Sequence, residues 1–575
     1  MQEQIGTTQT SGSNRRMDAL PIPHGSHILA GAARSDNRPR VPYFSVGGSA
    51  VVETTKSATV RAHANVRKES SMLTRRRFFH ASLATAVAAS LPASRALSAV
   101  LSPSMKVDHD LDAVTGDGKG ITLTRAAVQE LADSLRGNLL LAGHSAYEDA
   151  RRVINAQMNK HPALIVQPRD AADVKNAVDF ARGSSLLVAV KCGGHSPSGK
   201  STCDRGLMID LSLLRGVQVD PKARIARVAG GSLLGDLDHA TMAHGLVTTA
   251  GTVSHTGVGG LTLGGGFGRV ARRFGLALDN VRSVDVVTAG GEFVHASAEE
   301  NADLYWGVRG GGGNFGVVTG FEFDLHPMQR EVVGGFILFP TKEAKSVLTW
   351  YSEYEGVAPD ELYLSGTIVS DPAHGSSGVG FSTCFSGSKA DAEKVYRTIR
   401  SAGKAIVDRI TPIDYVALQR SGDIEDPRAI GSYTKTGYVK NISPQLIDAM
   451  INGLEEHPER STTVGFQHCG GAISRVANDA TAFPHRDIHA TSLLLVDWPA
   501  QIDPTPHVAW LKKYWDTIEP HTDGFYTNDV VDETQKQVDE NYLGNYPRLL
   551  ALKNKYDPTN LFRLNANIVP TAGRG

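Results

Sequence analysis

Cysteine is scarce: four residues in 575 exclude a fold framed by disulfides. No apolar run reaches the length of a membrane-spanning helix. A dominant sign of charge is missing too, with 59 Lys and Arg against 60 Asp and Glu. That balance conceals an asymmetry. Residues 1–98 hold 13 basic and 5 acidic residues, which leaves 46 and 55 for residues 99–575. An acidic body of this kind argues against a nucleic-acid binder held by phosphate contacts. Metal-ligand spacing is incomplete: Cys192 and His195 make half a zinc site, no second pair follows, and no metal is expected. What remains is a globular composition, 41% hydrophobic and 21% charged, long enough for two to four domains. Glycine is the outlier at 59 residues, many of them clustered.

Residues 1–71 show no sustained periodicity and read as disordered or as an over-extended start. Residues 72–99 have the order of a signal peptide. Arg75, Arg76 and Arg77 precede Phe78 and Phe79, a short apolar stretch over 81–91 follows, and small residues close it near Ser98 and Ala99. The paired arginines resemble a twin-arginine signal, so export to the periplasm or beyond is expected.

Patterning begins near Ser145. Helices are expected over 146–159, 171–182 and 233–244, and strands over 164–166, 186–190, 208–211, 225–228, 284–289, 293–296 and 316–323. From about Val332 long helices (342–355, 388–403, 443–455) alternate with strands such as 362–369 and 492–496, which suggests a second domain. A last helix spans 535–556 and ends at Asp557-Pro558. The mixture predicts α+β layers and no regular βαβ repeat.

Three glycine clusters carry the chemistry: Gly193-Gly194-His195, the run from Gly251 to Gly268, and Gly310-Gly311-Gly312-Gly313-Asn314-Phe315-Gly316. Bare backbone admits close approach of a flat or charged ligand and makes anion nests. The third cluster matches G-x-G-x-x-G, but a strand-like run follows it where a Rossmann fingerprint needs a helix, so a nicotinamide site is not expected. The first two clusters, with the C-terminal run from Tyr556 to Ile568, resemble those of the berberine bridge enzyme-like FAD-linked oxidases. These belong to the vanillyl-alcohol oxidase / p-cresol methylhydroxylase superfamily. The resemblance extends from about Tyr147 to Pro570.

The resemblance implies a two-part FAD-binding domain of the p-cresol methylhydroxylase type (145–331). It also implies an inserted α/β substrate domain with a helix-covered sheet (332–524), and a C-terminal segment (525–570) returning to the first domain. It further implies FAD bound covalently through His195. Gly193, Gly194, Ser196, Gly199, Gly251, Thr252, Ser254, Gly257, Gly260, Gly264, Val317, Asn565 and Asn567 would be its other contacts. Val253 stands where doubly linked members carry a cysteine, so a single link is implied. Tyr526 matches a tyrosine that serves relatives as base, although Asp529 replaces the usual aromatic three residues on. Gln467 stands where some members have an acid, and would orient substrate without taking a proton. The implied reaction is hydride transfer from a C–H of a small alcohol, sugar or amine to FAD, reoxidised by dioxygen to hydrogen peroxide. A dehydrogenase using another electron acceptor, and a flavin-loaded binding protein without turnover, remain as alternatives.

Overall fold

A computed structural model describes residues 106–371, 377–424, 429–529 and 531–573. The expected signal segment, 72–99, lies outside the described residues.

The chain begins to pack well before Ser145. Strands Leu111–Val114 and Gly120–Leu123 pair antiparallel, and helix Arg125–Ser134 follows, capped by the Thr124 hydroxyl. Its Val128 and Leu131 are buried four-strand-sheet contacts missed by the sequence reading because only two apolar positions of this helix are enclosed. Strand Asn138–Leu140 then forms one edge of a four-stranded sheet with Leu164–Gln167, Leu207–Asp210 and Val188–Lys191. The first domain therefore starts upstream of the expected boundary. Helix Ala171–Gly183 lies where its 3.6-residue spacing put it, with Val174, Ala177, Val178 and Ala181 buried. By contrast the helix expected over 146–159 shrinks to Tyr147–Ala150. Beyond it the backbone leaves helix to follow other partners: Ile154 N–H bonds the Gly194 carbonyl and Ala156 N–H the Ile430 carbonyl.

A five-stranded antiparallel sheet follows, in the order Phe293–Ser297, Val281–Thr288, Gly316–Asp324, Ile225–Ala229, Val217–Asp220. Its strand Gly316–Asp324 runs directly from the third glycine cluster, which is why that cluster is no Rossmann turn.

Residues from Glu331 to Pro499 build a larger antiparallel sheet. Helices Ala344–Tyr354, Lys389–Arg400, Pro444–Glu455 and Thr505–Ile518 cover one of its faces. All its pairings are antiparallel, so this part is α+β and not the α/β arrangement expected. Side chains alternate across it. Phe466 and His468 face the helices, while Gln467, in register with Thr491 and through it with Tyr438, faces the other way.

The final segment packs back onto the five-stranded sheet. Val538, Tyr542, Leu549, Leu552, Tyr556, Ala566 and Ile568 share one apolar core with Val284, Val286 and Phe321. The expected single helix is two, Gln535–Asn541 and Tyr546–Tyr556, separated by a short turn with Leu543 at φ +48°. A buried ion pair ties it down. Lys553 Nζ reaches Asp557 Oδ2 at 2.7 Å and also donates to the carbonyls of Asn314 and Phe562. Among the described residues no helix is long and apolar enough to cross a membrane.

Candidate active site

The glycine clusters meet because nothing but glycine allows it. A Cβ on Gly193 would stand 2.2 Å from the Gly257 nitrogen, so the first and second clusters touch backbone to backbone. The second holds the third: the Leu263 carbonyl accepts from the N–H groups of both Gly310 and Gly312 at 3.0 Å. The third holds the C-terminal segment, since Asn314 Nδ2 donates to the Ala566 carbonyl and its Oδ1 accepts from Ile568 N–H, both at 2.9 Å. Lys200 Nζ closes the ring by donating to the Asn565 carbonyl.

These segments enclose a cavity of about 350 Å³. Of the residues singled out in the sequence, His195, Gly193, Gly194, Ser196, Gly257, Gly260, Val317, Asn565 and Tyr526 line it. Others stand outside its wall for identifiable reasons. Ser254 commits its N–H and hydroxyl to the Asp423 carboxylate at 2.8 and 2.6 Å. Gly251 and Thr252 turn their carbonyls to Gln419 and Arg269. Gly199 occupies a turn at φ +63° against Met158, and Gly264 backs onto Asn528. Asn567 uses its carbonyl to accept from Gln535. Gln467 lies on the sheet face whose Thr436 hydroxyl accepts from Tyr526 N–H. Gly312, Gly313 and Gly316 do line the cavity and were missed. The signal was present, but the failed Rossmann match obscured it.

The lining fits a flavin dinucleotide. A Cβ at Gly260 or Gly313 would meet no atom within 4 Å, so both glycines leave room that a bound group can fill. Ser201 Oγ and Asn565 Oδ1 are buried on this wall without a hydrogen-bond partner, which a polar ligand would satisfy.

Two side-chain arrangements dominate the wall. At one, Tyr526 places its phenolic oxygen to accept from Gly266 N–H at 2.9 Å and Asn528 Nδ2 at 2.8 Å. The same Asn528 nitrogen donates to the Leu261 carbonyl at 3.1 Å, which fixes the amide orientation. Burial raises the Tyr526 pKa, and the two donors oppose the rise by favouring phenolate. Asp529, also on the wall, is pushed up to about 7 by burial, with Glu533 adding to it. At the other, His195 Nε2 lies 2.6 Å from His255 Nδ1, and His195 Nδ1 lies 3.3 Å from the Thr256 hydroxyl. Burial and the neighbouring His255 push His195 down to about 3. The four cysteines are free thiols, and burial raises Cys192 to about 11.

A cradle of glycine backbone between two sheet layers, closed by a returning C-terminal segment, defines a flavin-binding oxidoreductase. Comparison with known proteins agrees. Residues 162–297 match the FAD binding domain family and residues 526–569 the berberine and berberine-like family. An FAD-linked oxidoreductase of Dictyostelium discoideum is 33% identical over 448 residues, 77% of this chain and 97% of the relative. The structure of 6-hydroxy-D-nicotine oxidase from Arthrobacter nicotinovorans is similar at 27% identity and a TM-score of 0.68, covering 76% of this chain and 98% of that one. The structure of glucooligosaccharide oxidase from Acremonium strictum shares the fold at 24% identity and a TM-score of 0.69, over 77% of this chain and 99% of that one. The chain belongs to the berberine bridge enzyme-like FAD-linked oxidases of p-cresol methylhydroxylase type.

Proposed function

We propose that this protein is an exported oxidase that takes hydride from the C–H beside a hydroxyl or amino group of a small alcohol, sugar or amine, with dioxygen as final acceptor. The observation that carries it is the pair of donors on Tyr526. With Gly266 and Asn528 occupying its oxygen as donors, the phenol's own proton points to the remaining direction, and the oxygen is prepared to hold negative charge. Once ionised to phenolate, Tyr526 is the base that removes the substrate O–H or N–H proton. Gln467 and the hydroxyl-bearing sheet face around it orient the substrate. FAD, when bound, supplies the hydride acceptor. Gly193, Gly194, Ser196, Gly257, Gly260, Gly313, Val317 and Asn565 would hold it, and His195 would carry its single covalent link. That link is supported by the 8α-N1-histidyl FAD named for glucooligosaccharide oxidase. Valine at position 253 offers no nucleophile for a second link.

The test is anaerobic mixing of the purified yellow protein with a panel of alcohols, sugars and amines. Bleaching of the flavin by one of them, followed by recovery and stoichiometric hydrogen peroxide on admitting air, is expected. Bleaching that air does not reverse would identify a dehydrogenase with another acceptor. A flavin that no compound bleaches would leave only binding. Mass of the intact protein should show one flavin attached, and N-terminal sequencing of exported protein should begin near Ser98 or Ala99.

A further inference from the structure

Three acids follow Tyr526 closely: Asp529, Asp532 and Glu533. Two of them have cations from the neighbouring sheet and helix. Lys435 Nζ donates to Asp532 Oδ1 at 2.5 Å and to Glu533 Oε1 at 2.7 Å. Lys512 also pairs with Asp532, and the Tyr433 hydroxyl donates to it at 2.9 Å. Val531 N–H completes Glu533. Asp529 is different. Among the described residues its carboxylate makes no hydrogen bond and no ion pair, and the charge that acts on it is Glu533, of the same sign.

Asp529 is also the one acid among the described residues that lines the flavin cavity. Its N–H donates to the Tyr526 carbonyl at 2.9 Å, so acid and phenol are carried on one turn. The wall offers it no counter-ion. Lys200, the lysine on that wall, donates to the Asn565 carbonyl, and burial holds His195 neutral. FAD supplies none either, because the dinucleotide carries phosphate charge and no cation. A buried carboxylate is costly unless paired. Burial pushes this one up to about 7, and a cation beside it would restore its charge.

The rest of this turn favours a cation over a polyhydroxy ligand. The Thr527 hydroxyl donates to the Gly264 carbonyl at 3.3 Å, and Asn528 Nδ2 is committed to Leu261 and Tyr526. A sugar needs several free donors and acceptors, whereas an ammonium needs one anion. The excess of acidic over basic residues in 99–575, 55 against 46, also favours the approach of cations.

We infer that Asp529 is a specificity-determining residue that pairs with the cationic nitrogen of the substrate, and that the substrate is a protonated amine. This rests on the oxidase reading above and narrows its alcohol, sugar or amine to an amine.

The experiment uses the full-length holoprotein and its Asp529→Asn variant. The probes are benzylamine with benzyl alcohol, butylamine with butanol, and glucose. Flavin content, the shift of the flavin spectrum on anaerobic mixing, and bleaching are read. In the wild type each amine should half-saturate the shift at about a tenth or less of the concentration its alcohol needs. In the variant the flavin should be retained and the amine weakened about ten- to hundredfold relative to the alcohol. An amine that binds the wild type no tighter than its alcohol, or not at all, overturns the inference and needs no variant to fold. So does a variant that keeps the amine preference, or one that loses flavin, since the carboxyl would then serve the cofactor. Bleaching by alcohol or glucose alone overturns this inference and leaves the oxidase reading standing. Tight amine binding, lost in the variant, with no bleaching by any probe would remove the oxidase reading and support Asp529 as the cation site.

Discussion

Asn528 donates one amide hydrogen to the phenolic oxygen of Tyr526 and the other to the Leu261 carbonyl, at 2.8 and 3.1 Å. The residue two positions after the tyrosine is thereby locked as its donor. Replacing Asn528 by Leu removes that donor while leaving Gly266 N–H in place. The reductive rate should fall about ten- to hundredfold. Its rise with pH should also move to higher pH, because the phenolate loses support. Tyr526→Phe should lower the rate further, by about 10²–10⁴, with flavin content unchanged. Stopped-flow bleaching across pH checks both.

Gly313 lies on the cavity wall with no atom within 4 Å of where a Cβ would stand. Gly313→Val should therefore fold normally and bind little or no flavin, since the side chain fills space the cofactor needs. Absorbance at 450 nm beside an unchanged thermal unfolding curve for the apoprotein is the check. Full flavin content would show that the cradle lies elsewhere.

Lys553 and Asp557 are fully buried and joined at 2.7 Å. Leu561 and Phe562 N–H groups complete the carboxylate. Removing one partner leaves a buried charge without its counter-ion. Lys553→Met should cost about 3–5 kcal/mol in urea unfolding and loosen the segment carrying Asn565. Faster proteolysis beyond residue 545 in this variant is the discriminating sign.

Asp238 is buried at the junction of the first domain and helix Tyr415–Arg420, where Gln419 Nε2 donates to it at 3.1 Å. Burial pushes its carboxyl up to about 7, against the opposing influence of Gln419 and Arg269. The folded protein thus keeps this proton to higher pH than the unfolded chain. The resulting stability is full below about pH 4 and is lost as the pH rises through 7, an effect of at most about 4 kcal/mol. Asp238→Asn should flatten that part of the stability–pH curve, measured by urea unfolding between pH 4.5 and 8.

Much of this was legible in the chain itself. Helix Ala171–Gly183 followed from its apolar spacing, and the strand after Gly316 was enough to reject a Rossmann turn. The cluster around His195 and the Tyr526-Thr527-Asn528 run pointed to residues that the structure does bring to one cavity. Helix 146–159 was not legible, because its backbone bonds go to Gly194 and Ile430, far along the chain. Ser254 was placed on the cofactor by its position in a motif, yet Asp423, 169 residues away, takes its polar groups.

By itself the sequence determined the kind of cradle: glycine where backbone must touch backbone, a histidine beside it, and a tyrosine with its asparagine. Those are local requirements of sterics and donor chemistry, written in residue types. Only the tertiary structure decided that His195 meets His255 and which residues donate to the Tyr526 oxygen. Those depend on hydrogen bonds from Ile424, Gly266 and Asn528, whose directions exist only once distant segments have met.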